Sequence, residues 1–396
     1  MKIGGFYEHQ LPRPWSADSD HMLLKHALEQ VELSDRGGYD YIWATEHHFL
    51  EEYAHSSAPE IFLAACSQRT KNVRLGHGIV QTSPYINHPA RVAERIATLD
   101  LISDGRCEFG CGAGATETEL GGFRVPQAEK KAMMTEGFRT AIRMMVEEPF
   151  TGVDGKYVQA PARNLVPKPL QKPHPPLWMA CSSRTSILEA ARQGVGALAF
   201  SFVSAGEAAQ WVKDYYHVIE NESDPIGYAV NPNFAITCPF LCDRDGQRLA
   251  QVGMENYGYF IYGLGHYSFF GEHEPGKTDL WQEYKTNPHE WAPPEGRTQD
   301  AVGTPEMVRK QLREFEDVGI DQVVCLSQAG KIPHELLCSS IELFTKEILP
   351  EFKDRDAKSE RQRAERRARI AERAMARKSP VDAPKAATVI RAAGHH

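Results

Sequence analysis

The sequence predicts an α/β protein: a single (β/α)8 TIM barrel with insertion loops and a charged C-terminal helical tail. Three observations predict it. Short β-rich runs alternate with helical segments about eight times, the pattern of parallel strands joined by crossover helices. The turn after the first strand lacks the Gly-x-Gly-x-x-Gly fingerprint that an open doubly wound sheet usually carries there. The chain has 396 residues, and barrels of about 250 residues commonly grow by loop insertion. One large domain over residues 1–352, followed by a tail over 353–396, is therefore the simplest division.

Lys2 to Glu8 reads as the first strand and His21 to Arg36 as its helix, stopped by Gly37-Gly38. Tyr39 to Ala44 is the second strand, Val73 to Val80 the third and Arg106 to Gly110 the fourth. The fifth is Pro176 to Ala180, the sixth Ala197 to Phe202, the seventh lies near Phe234 to Leu241 and the eighth near Gln322 to Leu326. Helices fit between them at Pro59 to Arg69, Pro89 to Ile102, Ala128 to Val146, Arg184 to Gln193, Ala205 to Ile219, Arg248 to Tyr262, Pro305 to Val318 and His334 to Ile348. Two segments interrupt the repeat. Phe150 to Pro176 reads as a hairpin excursion. Gly263 to Gln299, aromatic and rich in proline, has little periodicity and reads as a loop covering a pocket. Beyond Pro350 the chain carries about +6, leaving about −14 on the body. With almost no apolar stripe, the tail reads as a solvated helix that frays, and the acidic body argues against a nucleic-acid partner.

Composition narrows the class. A hydrophobic fraction of 41% and a charged fraction of 25% suit a folded globular protein. The N-terminus has no secretory signal and no apolar run approaches a membrane span, so a cytoplasmic protein without a membrane partner is expected. The eight cysteines sit mostly in apolar, strand-like runs and read as reduced; Cys107/Cys111 and Cys238/Cys242 lack the His/Cys partners of a metal site.

In such a barrel, chemistry gathers where strands end. Glu46-His47-His48-Phe49 follows the second strand, and imidazole beside carboxylate is the ordinary equipment for proton transfer near neutral pH. Satisfied core histidines are the plainer alternative. Gly110-Cys111-Gly112-Ala113-Gly114, after the fourth strand, lets backbone approach a ligand closely, though glycine serves turns equally well. Cys181-Ser182-Ser183-Arg184-Thr185 opens a helix after the fifth strand. Its free N–H groups, hydroxyls and guanidinium suit a phosphate, or an ordinary N-cap with an exposed arginine.

Together with Val73 to Val80, Asn87-His88-Pro89-Ala90-Arg91, Gly105-Arg106 and Val302-Gly303-Thr304-Pro305, in that order, these residues closely resemble the bacterial luciferase-like flavin monooxygenases over roughly Met1 to Phe352. The resemblance implies a two-component oxygenase. Reduced FMN, supplied by a separate NAD(P)H:flavin reductase, would react with O2 through a C4a-(hydro)peroxyflavin and oxygenate a small hydrophobic organic substrate, as alkanal and limonene monooxygenases do. It further implies His47 as the catalytic acid/base and a homodimer. It places Glu46, His77, Gly78, Gly112, Ala113, Cys181, Ser182, Ser183, Arg184, Thr185 and Ser201 about the cofactor, with His77-Gly78 where relatives often have a cis peptide. Phe6, Trp43, Phe49 and Phe202 are expected to line the ring and substrate pocket, with a place in the core the equal alternative for each. Two positions depart from the family: Gly112 stands where luciferase has a reactive cysteine, and Ala113 where it has a phosphate-holding arginine. The alternatives are a deazaflavin-dependent hydride-transfer oxidoreductase and a non-catalytic flavin-binding partner subunit.

Overall fold

The computed structural model describes residues 1–200, 202–287, 301–380 and residue 390. Eight parallel strands close on themselves: β1 (Lys2–Tyr7), β2 (Tyr41–Ala44), β3 (Arg74–Gln81), β4 (Cys107–Gly112), β5 (Leu177–Cys181), β6 (Gly196–Ala199), β7 (Phe234–Cys242) and β8 (Gln322–Leu326). Closure runs through Ala197 of β6 beside Phe234 of β7, and Lys2 of β1 beside Gln322 of β8. The predicted strands are all present, with ends shifted by a few residues because pairing, not composition, sets where a strand stops.

The helices are α1 (Ser19–Gly37), α2 (Pro59–Arg69), α3 (Pro89–Ile102), α4 (Glu117–Gly122), α5 (Lys130–Val146), α6 (Arg184–Arg192), α7 (Ala205–Asn221), α8 (Gly246–Gly265), α9 (Leu280–Thr286), α10 (Pro305–Asp317), α11 (His334–Glu347) and α12 (Leu349–Met375). Gly38 ends α1 at φ +96°, its N–H reaching the carbonyls of Asp35 and Ser34. The expected excursion after Phe150 is a small hairpin, Val153–Asp154 against Gln159–Ala160. The segment expected to be irregular from Gly263 is more ordered than its sequence suggests. A π-helical turn spans His266–Phe270 and α9 follows, while residues 288–299 of that segment lie outside the described residues.

Alternation divides the sheet into two faces. Ile3, Ile42, Leu75, Phe109 and Met179 point outward and bury against the helices with Val92, Ile96, Phe138 and Ile187. The barrel interior is filled below its mouth by two indoles, Trp43 and Trp178, whose rings meet edge to face at 5.3 Å. Glycine makes room for both: a Cβ on Gly76 would stand 2.2 Å from Trp43, and one on Gly196 would stand 2.4 Å from Trp178. Trp178 donates to Glu108, and Arg74 pairs with the same carboxylate, whereas the buried Trp43 indole N–H has no partner.

The tail does not stand off in solvent. α12 lies against α7, with Ile370 and Ala374 fully buried and Arg366 stacked 3.7 Å over the Tyr216 ring. Asp356 gathers the Met1 ammonium at 2.9 Å, Lys2 at 2.8 Å and the Arg363 guanidinium. The sparse apolar stripe suffices because arginine stems and ion pairs complete the contact. Among the described residues no helix is long and apolar enough to cross a membrane.

Candidate active site

The strands end around a cavity of about 2690 Å³, well above the ~300–1,000 Å³ of an ordinary ligand pocket. His47 projects into it from the loop after β2, and its ring is held at both nitrogens. Nδ1 lies 2.9 Å from Glu119, at the start of α4, and Nε2 lies 3.1 Å from Glu8, just past β1. Both carboxylates are buried. Burial works against the charge on the imidazole. The attraction of Glu119 and the hydrogen bonds to Glu119 and Glu8 outweigh it and push the imidazole up to about 10. Glu119, although desolvated, is held below its usual range by the His47 charge and by hydrogen bonds from His47, the His48 amide and Thr116. The group at the cavity wall is thus an imidazolium between two carboxylates.

Glu46 stands behind this pair. It accepts from the Gln81 amide at 3.0 Å and from Asn87 at 2.7 Å, and pairs with His48 at 2.9 Å. Gln81 then bridges, donating both to the Glu46 carbonyl and to Glu119. Glu46 therefore fixes the loop rather than facing a ligand alone. Sequence reasoning missed Glu8, Glu119, Gln81 and Tyr53. The rule that singled out Glu46, a polar residue just past a strand, applies equally to Glu8. Thr116-x-x-Glu119 carries a helix-start signal, since the Thr116 hydroxyl accepts from the Glu119 amide. Nothing in sequence brings that helix to His47.

Of the expected site residues, Phe6, Glu46, His47, Gly78, Gly112, Ala113, Cys181, Ser182, Ser183, Thr185 and Phe202 line the cavity. Four do not. Trp43 is fully buried in the plug beneath it. Phe49, at φ +63°, is 56% exposed and packs on Phe123. The His77 ring is buried toward the helices, because β3 alternation turns it outward, with Glu60 and Arg95 as its charged surroundings. Arg184 reaches back to Asp214 at 2.5 Å, and is not the expected cation of the phosphate end. Ser201 lies outside the described residues. The His77–Gly78 link is trans, and among the described residues the cis bonds all precede proline. In its place the β3–β4 register shifts between His77 and Val80, and Ile79 turns into the cavity.

Ile79 also explains the missing cysteine. A Cβ on Gly112 would fall 2.4 Å from Ile79, so a side chain there has no room. Cys111 points the other way, and burial raises its thiol well above the usual range; burial likewise pushes Cys181 up to about 12. Burial thus favours the protonated, less nucleophilic form of both thiols. Toward α6 the cavity becomes polar. Ser183 caps the helix reciprocally with Ser186, and Ser182, Thr185, Lys130, Lys131 and Arg139 share the wall. Metal-ligating clusters are absent among the described residues.

A closed parallel barrel with a histidine held between two carboxylates at its mouth, and a polar helix start beside it, has the layout of a barrel enzyme's site. The family description "luciferase-like monooxygenase" matches residues 1–322, and the chain belongs to that family. An uncharacterised protein of Sinorhizobium fredii, y4vJ, is 31% identical over 44% of this chain, and the match spans about half (49%) of that relative. The oxygenase component of a flavin-dependent trigonelline monooxygenase from Acinetobacter baylyi is 25% identical, over 84% of this chain and 91% of its own. Among solved structures, the monooxygenase RslO1 from Streptomyces bottropensis superposes with TM-score 0.72 at 24% identity, covering 89% of this chain and 100% of that one. An F420-dependent secondary alcohol dehydrogenase superposes with TM-score 0.67 at 18% identity, covering 88% and 98%.

Proposed function

We propose that this chain is the oxygenase component of a two-component, FMN-dependent monooxygenase that inserts one oxygen atom of O2 into a small hydrophobic organic substrate. The observation that carries the reading is the His47 imidazolium, clamped by Glu8 and Glu119 on the wall of a cavity large enough for cofactor and substrate together. Bound reduced flavin, delivered by a separate NAD(P)H:flavin reductase, supplies the electrons that activate oxygen.

The residues present fit that group. Three buried polar atoms on the cavity wall have no partner: Glu8 Oε2, Gln81 Oε1 and Thr237 Oγ1. Two of them only accept, which suits a ligand rich in N–H and O–H donors. Ser182, Ser183 and Thr185 at the α6 N-terminus, with Lys130, Lys131 and Arg139, would hold the phosphate. Phe6, Phe200, Phe202 and Phe260 give the cavity an apolar stretch of wall that would exclude water, where an apolar substrate would sit. Because His47 carries its proton at neutral pH, it acts as a proton donor or stabilises negative charge; it does not begin as a base.

Anaerobic titration with reduced FMN, followed by mixing with oxygen and candidate substrates, tests the reading: binding with oxygen-dependent product supports it, and failure to bind reduced FMN removes it. The F420-dependent fold neighbour supports a second reading, hydride transfer to or from a deazaflavin. Tight binding of F420 with no oxygen uptake would select it.

A further inference from the structure

We propose that Glu52 is a positioning residue that locks the segment covering the cavity to the loop carrying His47. Its carboxylate is fully buried and serves several pieces of chain at once. It accepts from the Arg13 amide at 2.8 Å, from the Tyr259 hydroxyl of α8 at 3.2 Å, and from the first two amides of α9, Leu280 at 2.7 Å and Trp281 at 3.2 Å. Arg13 Nε, 3.4 Å away, balances the charge. Glu51 adds a parallel set, accepting from the Gly276 amide at 2.7 Å and pairing with Arg13 at 2.6 Å.

These bonds matter because of what lies on either side. Five residues before Glu52 is His47, and immediately after it is Tyr53, whose ring meets the His47 ring at 5.9 Å and the Phe260 ring at 5.3 Å. The segment that Glu52 holds, residues 266–287, brings Ser268, Phe269, Tyr284 and Lys285 to the cavity wall. Its π-helical turn reaches across to α4, which bears Glu119. One buried carboxylate thus joins the cover, through a few residues, to the His47 loop and to α4, which bears one of the two supports of the imidazolium. A buried acceptor with four donors costs little to keep and much to lose, since its removal orphans amides that have no other partner nearby. The cover stays down while the Glu52 carboxylate holds these donors. With it gone, water reaches the cavity, and two electrons of reduced flavin pass to O2, which leaves with two protons as hydrogen peroxide instead of giving one atom to substrate and one to water.

The activity half of this proposal rests on the flavin reading; the mechanical half does not. Amide hydrogen exchange on the full chain, without cofactor, compares the wild type with Glu52→Gln and Tyr259→Phe, the latter removing one donor and keeping the ring. Exchange across residues 271–287 should quicken on the order of tenfold in Glu52→Gln and less in Tyr259→Phe, with the strands unchanged. Unchanged exchange in residues 271–287, or equal quickening throughout the barrel, overturns the lock. With reduced FMN bound, reoxidation by oxygen alone should release hydrogen peroxide about tenfold faster in Glu52→Gln at unaltered FMN affinity. Equal rates beside a loosened segment overturn the positioning role. A wild type that binds no reduced FMN defeats the flavin reading and leaves the exchange experiment to decide the lock.

Discussion

At the residue scale, His47 shows how far a neighbourhood can move a side chain from its ordinary behaviour. An isolated imidazole is mostly neutral at pH 7, whereas this one is charged because two buried carboxylates flank it. Its pKa rises on folding from 6.5 to about 10, so the stability it contributes is full below pH 6.5 and is lost as pH climbs toward 10. Urea unfolding of His47→Asn should therefore lack much of the decline that the wild type shows over that window. Turnover of His47→Ala should fall about 100-fold or more, the scale of a lost proton donor, while FMN affinity measured by titration stays within a few-fold. Glu119→Gln removes the larger attraction, so any basic limb of the pH–rate profile should move about one or two units toward acid. At the proposed phosphate end, if the FMN reading holds, Lys131→Ala and Arg139→Ala should each weaken FMN about tenfold and riboflavin hardly at all, and Arg184→Ala should leave both unchanged, since Arg184 is already spent on Asp214. The sequence showed that a histidine, a phosphate-like loop and glycines follow three strands. It did not show which cation faces inward, because that depends on the direction each helix gives its side chains.

At the scale of elements, the same letters served unexpected ends. Gly76 reads as one more glycine in a strand, yet it exists for Trp43. Gly76→Ala should cost about 2–3 kcal/mol in chemical unfolding, through overpacking against an indole that has nowhere to go. Trp43 itself was expected beside the cofactor, on its place just before a strand's end. The plug position follows instead from inward alternation one layer down, with Trp178 across from it. The α12 helix departs most from its sequence. Alanine, arginine and glutamate promised a solvated rod, and Asp356, Arg366 and Ile370 pinned it to the barrel. The neighbouring Lys2 and Met1 charges hold Asp356 down to about 2 despite its burial. Its contribution is thus present above about pH 3.8 and lost as pH falls through 2. Asp356→Asn, which leaves the Met1 ammonium short of a partner, should lower stability at pH 7 by about 3 kcal/mol and expose residues 353–375 to protease first.

At the scale of the whole molecule, eight parallel strands joined by seven crossovers close into one barrel, and every functional candidate that follows a strand is carried to the same end of it. That is why the cavity wall could be read in good part from a list of residues, and why distant positions such as Glu8 and Glu119 converge, though they lie 111 residues apart in number. The sequence by itself determined the barrel, the strand-end residues of the cavity wall and the family, because hydrophobic periodicity and short motifs are local properties of the chain. Only the tertiary structure decided that His47 is an imidazolium, that Ile79 leaves no room for a cysteine at Gly112, that Arg184 turns away from the cavity, and that Glu52 ties the cover to the site. Each of these depends on which buried groups face one another, and the distance between two side chains far apart in sequence is set by packing, not by either residue's own preference.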